Sequence, residues 1–235
     1  MVCARNESAT IETTLRAFRS DLTDHPPPVE GVIVVDDWSA DSTANVAASL
    51  GAIVTRPPTH SGKGNAMRHG AKHALSLGAT HVFFADADLV DFTRDHVRRM
   101  IREAVGVHNA KRIMVCGLRD YGLIGNFVQA FFPCITGERI VSAALLTCGV
   151  VPEFAWDGYA TETALGVVCS YWNMPVRDMV LPGHGIVLRH RKAIAARWTD
   201  YLRLARTVAA TWWRTWWHCV RAELDAPDGF VPPTE

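Results

Sequence analysis

The sequence predicts an α/β fold: a Rossmann-like, mostly parallel sheet flanked by helices. Three observations predict it. Short apolar runs of strand length recur at Gly31-Val-Ile-Val-Val-Asp-Asp37, Ala52-Ile-Val-Thr55, His81-Val-Phe-Phe-Ala-Asp86 and Arg112-Ile-Met-Val-Cys116. Runs without alternation suit strands buried on both faces. Segments with helical spacing lie between them, which makes βαβ units. Ligand-type polar residues stand where strands end, the edge at which open α/β sheets bind.

The elements follow in order. Val2-Cys3-Ala4 is a short first strand before the polar turn Ala4-Arg-Asn-Glu7. Ser8 or Thr10 caps a helix whose one face is Ile11, Leu15 and Phe18. Asp24-His-Pro-Pro-Pro28 ends that pattern in a loop. After the strand at 31–37, Trp38-Ser-Ala-Asp-Ser-Thr43 leads into a helix over 42–50. Pro57-Pro58 stops the third strand, and the loop His60-Ser-Gly-Lys-Gly-Asn65 opens a helix over 64–77. The 81–85 strand, a helix over 94–105 and the strand from Arg112 complete this part.

Composition narrows the function classes. The 235 residues suffice for a sizeable core, with 49% apolar and 20% charged residues. Lys and Arg number 24, as do Asp and Glu, so no global charge draws nucleic acid. The six cysteines are scattered without a Cys-x-x-Cys pair, which argues against a zinc ribbon and for a reducing, cytoplasmic setting. No signal peptide and no apolar run long enough to span a bilayer are present.

Chemistry concentrates at three strand ends. Asp86 and Asp88 are two apart, a spacing that turns both carboxylates to one side if the chain stays extended. Such a pair calls for a cation, and hard oxygen ligands suit Mg²⁺ or Mn²⁺ holding substrate phosphates. Gly62 and Gly64 allow close backbone approach, Lys63 meets a phosphate, and the helix start offers free N–H groups. With Asp36 and Asp37 they describe a pocket for a metal diphosphate. The Walker pattern and Gly-x-Gly-x-x-Gly are both absent.

Ala4-Arg-Asn-Glu7, Val34-Val-Asp-Asp-Trp-Ser-Ala-Asp-Ser-Thr43, Gly62-Lys-Gly-Asn65 and Ala85-Asp-Ala-Asp88 resemble, in order and approximate spacing, family 2 glycosyltransferases of the GT-A fold. The resemblance spans roughly residues 2–192. It points to the branch of polyprenyl-phosphate sugar synthases and glucosyl-3-phosphoglycerate synthase-like enzymes. It implies a nucleoside-diphosphate sugar and a divalent cation. Ala4, Arg5, Asn6, Glu7 and Asp37 would then hold the nucleoside, and Lys63 and Gly64 the base or diphosphate. Asp86 and Asp88 would bind ribose and metal. The family usually begins with a longer strand, and it has Gly where this chain has Trp38, a residue ill suited to positive φ.

Beyond residue 117 the pattern thins. Gly122–Phe132 reads as an apolar helix or lid. Pro133-Cys-Ile-Thr-Gly-Glu-Arg139 resembles the family's acceptor-side segment, with Gly137 in a tight turn and Glu138 or Arg139 facing the pocket. It reads equally as a helix start, with Thr136 capping and Glu138 in the first turn. Trp156-Asp-Gly-Tyr-Ala-Thr-Glu-Thr163 opens a helix to about Tyr171. The resemblance makes Glu162, then Asp157, the carboxylate that serves sugar or acceptor. It also brings a late histidine to the metal: His190 in Leu188-Arg-His-Arg-Lys192, with His184 the rival. Arg189 and Arg191 suit a phosphorylated acceptor.

The last segment differs in character. Arg189 to Arg221 carries eight basic residues and one acid, Asp200. Trp198, Leu202, Ala205, Val208, Ala209, Trp212, Trp213, Trp216 and Val220 fall on one broad side of a helix, with Arg203, Arg206, Arg214 and Arg221 beside it. A basic amphipathic helix rich in Trp suits the headgroup region of an anionic membrane, and the alternative is a core-covering or dimer-forming helix.

Residues 1–192 are thus expected to form the GT-A domain, with a donor and metal half at 1–117 and an acceptor half at 118–192. Residues 193–235 form the helix and tail. The expected activity is metal-dependent transfer of a hexose to a lipid-linked or phosphorylated acceptor, in the cytoplasm or on the cytoplasmic membrane face. Two alternatives are a nucleotidyltransferase on a related sheet and a non-catalytic membrane adaptor. The first usually has a glycine-rich N-terminal loop, and Ala4-Arg-Asn-Glu7 has no glycine.

Overall fold

A strand of only three residues sits inside the parallel half of the sheet. This is β1 (Val2–Ala4), hydrogen-bonded to β2 (Ile33–Asp36) on one side and β4 (His81–Asp86) on the other. The computed structural model of the chain describes residues 1–18, 29–60, 62–89, 91–105, 114–120, 136–158, 160–184 and 194–225, with the backbone alone for 194–204.

Between these strands run α1 (Ile11–Phe18), α2 (Thr43–Ser49), β3 (Ile53–Thr55) and α3 (Lys63–Ser76). After β4 come α4 (Arg94–Val105), β5 (Met114–Arg119), β6 (Arg139–Ser142) and α5 (Ala143–Thr147). A 3₁₀ turn (Glu153–Trp156), α6 (Ala160–Tyr171), β7 (Val176–Leu181) and the long α7 (Ile194–Leu224) complete the described chain. The described strands form a seven-stranded sheet in the order β3-β2-β1-β4-β6-β5-β7. Only β6 runs antiparallel to its neighbours, so the sheet is mostly parallel, as the sequence predicts.

The unbroken apolar runs form strands because both faces are covered. In β2, Ile33 and Val35 join one core layer and Val34 the other. In β4, Val82 and Phe84 face the layer with Met67, Leu145 and Leu165, while Ala85 faces Ile11, Leu15, Val97 and Met100. Each fully buried side chain of this size contributes about 1.5–3 kcal/mol. Phe18 meets Phe83 edge to face at 5.1 Å and so fastens α1 to β4.

In two places the structure decides between alternatives that the sequence leaves open. Arg139 opens a strand, so the helix start expected at Thr136–Arg139 is not formed; the next helix, α5, begins after Ser142, whose Oγ accepts from Leu145 N at 3.3 Å. Ile140 and Val141 decide this, because as a strand they serve the two core layers at once. On α7, the side that packs on the domain is not the Trp-rich one. Thr211, Thr215 and Cys219 are buried, while Trp212, Trp213 and Trp217 are exposed. Small residues four apart let the helix lie close to α6. The expected helix at 122–132 lies outside the described residues.

Candidate active site

Parallel register brings three strand ends flush. Ala4 pairs with Asp36, and Cys3 with Asp86, so the turns after β1, β2 and β4 meet along the sheet's C-terminal edge.

The turn after β1 is locked to the turn after β2. Asn6 takes φ of 56°. Its N–H donates to Ser39 Oγ at 3.0 Å, and its Oδ1 accepts from Ala40 N at 2.8 Å. Glu7 N donates to Thr43 Oγ1 at 2.8 Å and Ser8 N to Asp41 Oδ2 at 3.1 Å. Hydrogen bonds from Thr43 and Ser8 hold the Asp41 carboxyl below its ordinary range, against a smaller opposing effect of burial. Asp36 is fully buried and accepts from the Arg56 guanidinium and from Ser39 N at 3.1 Å.

Trp38 does adopt a positive φ, 61°. A non-glycine residue there costs about 1–2 kcal/mol. The indole offsets this: Nε1 donates to Pro57 O at 3.0 Å, and the Arg56 guanidinium lies 5.2 Å from the ring centre.

Asp37 is buried and joined to Arg5 through His60, a residue the sequence reading left out. His60 Nδ1 lies 2.8 Å from Asp37 Oδ2, and Nε2 lies 2.9 Å from Arg5 Nη1. Arginine only donates, so Nε2 accepts and Nδ1 carries the proton to Asp37. Arg5 itself is exposed.

Charged side chains alternate at the other end. Lys63 Nζ is 2.8 Å from both Asp86 Oδ1 and Glu162 Oε1. Arg119 Nη2 is 2.9 Å from Glu138 Oε1 and 3.4 Å from Asp86 Oδ2. His184 Nε2 lies 3.8 Å from Glu138 Oε1, beneath Phe92. Burial draws the Lys63 amine downward, but the carboxylates of Asp86 and Glu162 outweigh it and raise its pKa. Burial raises Asp86, with Lys63 opposing. For Glu138 burial acts upward, yet His184 and Arg119 prevail and hold its pKa at about 2.

Gly64 and Gly137 allow this closeness. A Cβ on Gly64 would lie 2.5 Å from Trp156 O, and one on Gly137 2.5 Å from Asp86 Oδ2. Lys63 opens α3 after Gly62, whose φ is 84° and which has no side chain to cap the first N–H groups. Those groups and the Lys63 amine point the chemistry toward an anion.

Several expected residues fall elsewhere. Strand β4 ends at Asp86, and Asp88 stands exposed in the following turn, so the extended-chain argument for paired carboxylates does not hold. Lys63 and Arg119 already offset the Asp86 charge. Arg139 is fully buried and donates to Glu162 O at 3.0 Å and to Thr136 O, so it braces the site instead of facing an acceptor. Thr136 is buried, its hydroxyl 2.5 Å from Gly117 O. Glu138 is fully buried against Arg119, and Asp157 is exposed in the turn before α6. His184 is buried behind Glu138, which makes it a support for that carboxylate. His190, Arg189 and Arg191 lie outside the described residues. Arg119 was missed because nothing near it in sequence marks it. Among the described residues no three His, Cys, Asp or Glu side chains are grouped to hold a metal; an exposed Asp88 carboxylate still fits a hard cation that takes its other ligands from a diphosphate.

The chain resembles glucosyl-3-phosphoglycerate synthase from Mycobacterium tuberculosis in complex with uridine diphosphate, with 21% identity, a TM-score of 0.64, and 89% of this chain and 78% of that one covered. The complex of that enzyme with Mn²⁺, UDP-glucose and phosphoglyceric acid gives 23% identity, a TM-score of 0.64, and 91% and 77% covered. The complex with phosphoglyceric acid alone gives 20% and 0.65, with 89% and 78% covered. These likenesses establish the GT-A fold. A sequence comparison with curated proteins gave no match. The model of the family described as glycosyl transferase family 2 matches residues 1–128, more than half of the chain, and the chain therefore belongs to glycosyl transferase family 2.

Proposed function

We propose that the chain transfers a hexose from a nucleoside-diphosphate sugar to a phosphorylated acceptor, with a divalent cation. The observation that carries this reading is the Lys63 amine, held between Asp86 and Glu162 at the uncapped start of α3. The turns around Asn6 and Asp37 take the nucleoside, and the start of α3 takes the diphosphate. Support comes from the similar synthase, whose complexes hold UDP-glucose, Mn²⁺ and phosphoglyceric acid. Asp88 would hold the cation, with His190 a further candidate outside the described residues. The cation supplies charge neutralisation of the leaving diphosphate.

The chain's own residues account for the rest. Lys63 exchanges one carboxylate partner for diphosphate oxygens, which keeps a compact positive charge where negative charge develops. Glu162, released from part of that pairing, faces the acceptor side and orients its hydroxyl. Glu138 keeps Arg119 pointed at Asp86, and a carboxyl with a pKa of about 2 is too weak a base to take a proton. Residues 1–117 are the donor half and 118–192 the acceptor half.

The test is a transfer assay. The protein is incubated with UDP-glucose, Mn²⁺ and 3-phosphoglycerate, and sugar-phosphate product is followed by mass spectrometry. GDP-linked and other hexose donors are run in parallel, as is a polyprenyl phosphate acceptor. A glycosylated phosphate-bearing product supports the reading. Nucleoside monophosphate transfer without sugar transfer would favour a nucleotidyltransferase instead.

A further inference from the structure

Helix α7 has two unlike sides. The inner side is closed. Thr211, Thr215 and Cys219 are buried, Arg214 lies over Phe154 at 4.3 Å, His218 meets Phe154 at 6.2 Å, and Tyr171 bonds Glu223. The outer side carries four indoles. Trp212, Trp213 and Trp217 are 48%, 54% and 43% exposed, and Trp216 is half-buried between them. Their rings pack on one another. Trp212 stacks on Trp216 at 6.5 Å, Trp213 on Trp216 at 5.8 Å, and Trp217 stands edge-on to Trp213 at 5.7 Å. At about 100° per residue the four cover about 140° of the helix circumference.

Trp216 meets Tyr171 at the end of α6 at 6.5 Å, but three exposed indoles on the outside of a docked helix are not explained by folding, since Trp216 and the small residues already make the contact with α6. Exposed Arg206 and Arg221 flank the indoles. From Tyr201 to Ala222 the sequence holds four arginines and no acid. Broad amphipathic rings beside arginines match the headgroup layer of a bilayer, where indoles sit at the interface and guanidinium groups meet phosphates. No described helix is long and apolar enough to cross a membrane, so α7 would lie in the plane of the surface. A two-fold contact with a second copy through this face would bring the arginines of both copies together, and the nearest acid, Glu223, is already bonded by the Tyr171 hydroxyl.

We infer that the Trp212–Trp217 face of α7, with Arg206 and Arg221, docks on an anionic lipid bilayer surface. The inference goes beyond the transfer reaction and does not depend on it.

Sedimentation of the full chain with phosphatidylcholine vesicles, with and without phosphatidylglycerol, tests it without any nucleotide present. Two variants are compared: Trp212→Ser with Trp213→Ser and Trp217→Ser, and Arg206→Ser with Arg221→Ser. The expected result is binding to the anionic vesicles only, released by salt, and weakened more than about tenfold in each variant. The arginine pair leaves every indole in place, so it remains informative should the triple variant unfold. Failure of the wild-type chain to bind anionic vesicles would overturn the inference. So would unchanged binding by a folded triple variant. A wild-type dimer that the triple variant converts to a monomer would instead make this face a subunit interface.

Discussion

Lys63 Nζ lies 2.8 Å from Asp86 Oδ1, a contact that joins the start of α3 to the end of β4 across the middle of the sheet edge. The same amine is 2.8 Å from Glu162 on α6. One cation therefore ties the start of α3 and the end of β4 to α6, and removing it leaves two carboxylates facing each other in a mostly buried place.

Lys63→Ala should cost about 2 kcal/mol of folding stability, less than a fully buried pair because the amine is partly exposed. It should also weaken nucleoside-diphosphate binding by more than about tenfold. Calorimetric titration with UDP or GDP checks the second effect, and denaturant unfolding the first.

Glu138 predicts a dependence on acid. Its pKa is about 2 in the folded protein against an ordinary 4.5, so the folded state binds the proton less readily. The contribution is fully present above pH 4.5 and is lost as pH falls toward 2. A shift of this size corresponds to a few kcal/mol, on the order of 3 at most. Glu138→Gln should lower stability at neutral pH, and the gap to wild type should close in strong acid. Equal gaps at pH 7 and pH 3 would contradict this assignment.

Gly137 has no room for a side chain. Gly137→Ala would press a methyl group against Asp86 Oδ2, so the carboxylate must leave Lys63 or Arg119. A loss of about 1–3 kcal/mol is expected, with transfer activity reduced further than stability explains. Steady-state rates measured well below the variant's melting temperature separate the two.

Trp38 separates backbone strain from side-chain contact. Trp38→Ala keeps the unfavourable φ and loses the Pro57 and Arg56 contacts, which should cost about 1–2 kcal/mol. Trp38→Gly loses the same contacts but accepts the φ, so it should recover about 1 kcal/mol relative to Ala. A glycine variant no more stable than the alanine variant would show that the turn does not hold Trp38 at positive φ.

The chain up to β5 was readable because its strands are apolar runs, the longest of them ending in charge. Gly31–Asp37 and His81–Asp86 say both where a strand lies and where its ligand edge is. The chain after β5 hides its strands. Arg139 inside β6 looks like a helix or site residue until its guanidinium is seen spent on Glu162 O and Thr136 O. Strand β7 is mostly exposed, and Arg177 and Asp178 break its apolar pattern. Asp88 looked like the twin of Asp86 because spacing alone cannot tell a strand from the turn that ends it. Arg119, His60 and His184 act through polar partners 19 to 55 positions away in sequence, and no local pattern carries that. On α7 the tryptophans drew the reading to the outer side, whereas the packing side is a row of small residues whose periodicity is faint.

The central claim is a donor site completed by a cation at Asp88. Thermal unfolding of wild type and Asp88→Ala with UDP and with GDP, each with and without Mn²⁺, tests it most directly, since a ligand of the folded state raises the melting temperature by mass action. The expected result is a rise for one nucleotide that grows with Mn²⁺ in the wild type, and no Mn²⁺-dependent part in Asp88→Ala. An equal Mn²⁺-dependent rise in both proteins, or none with any nucleotide, would contradict it.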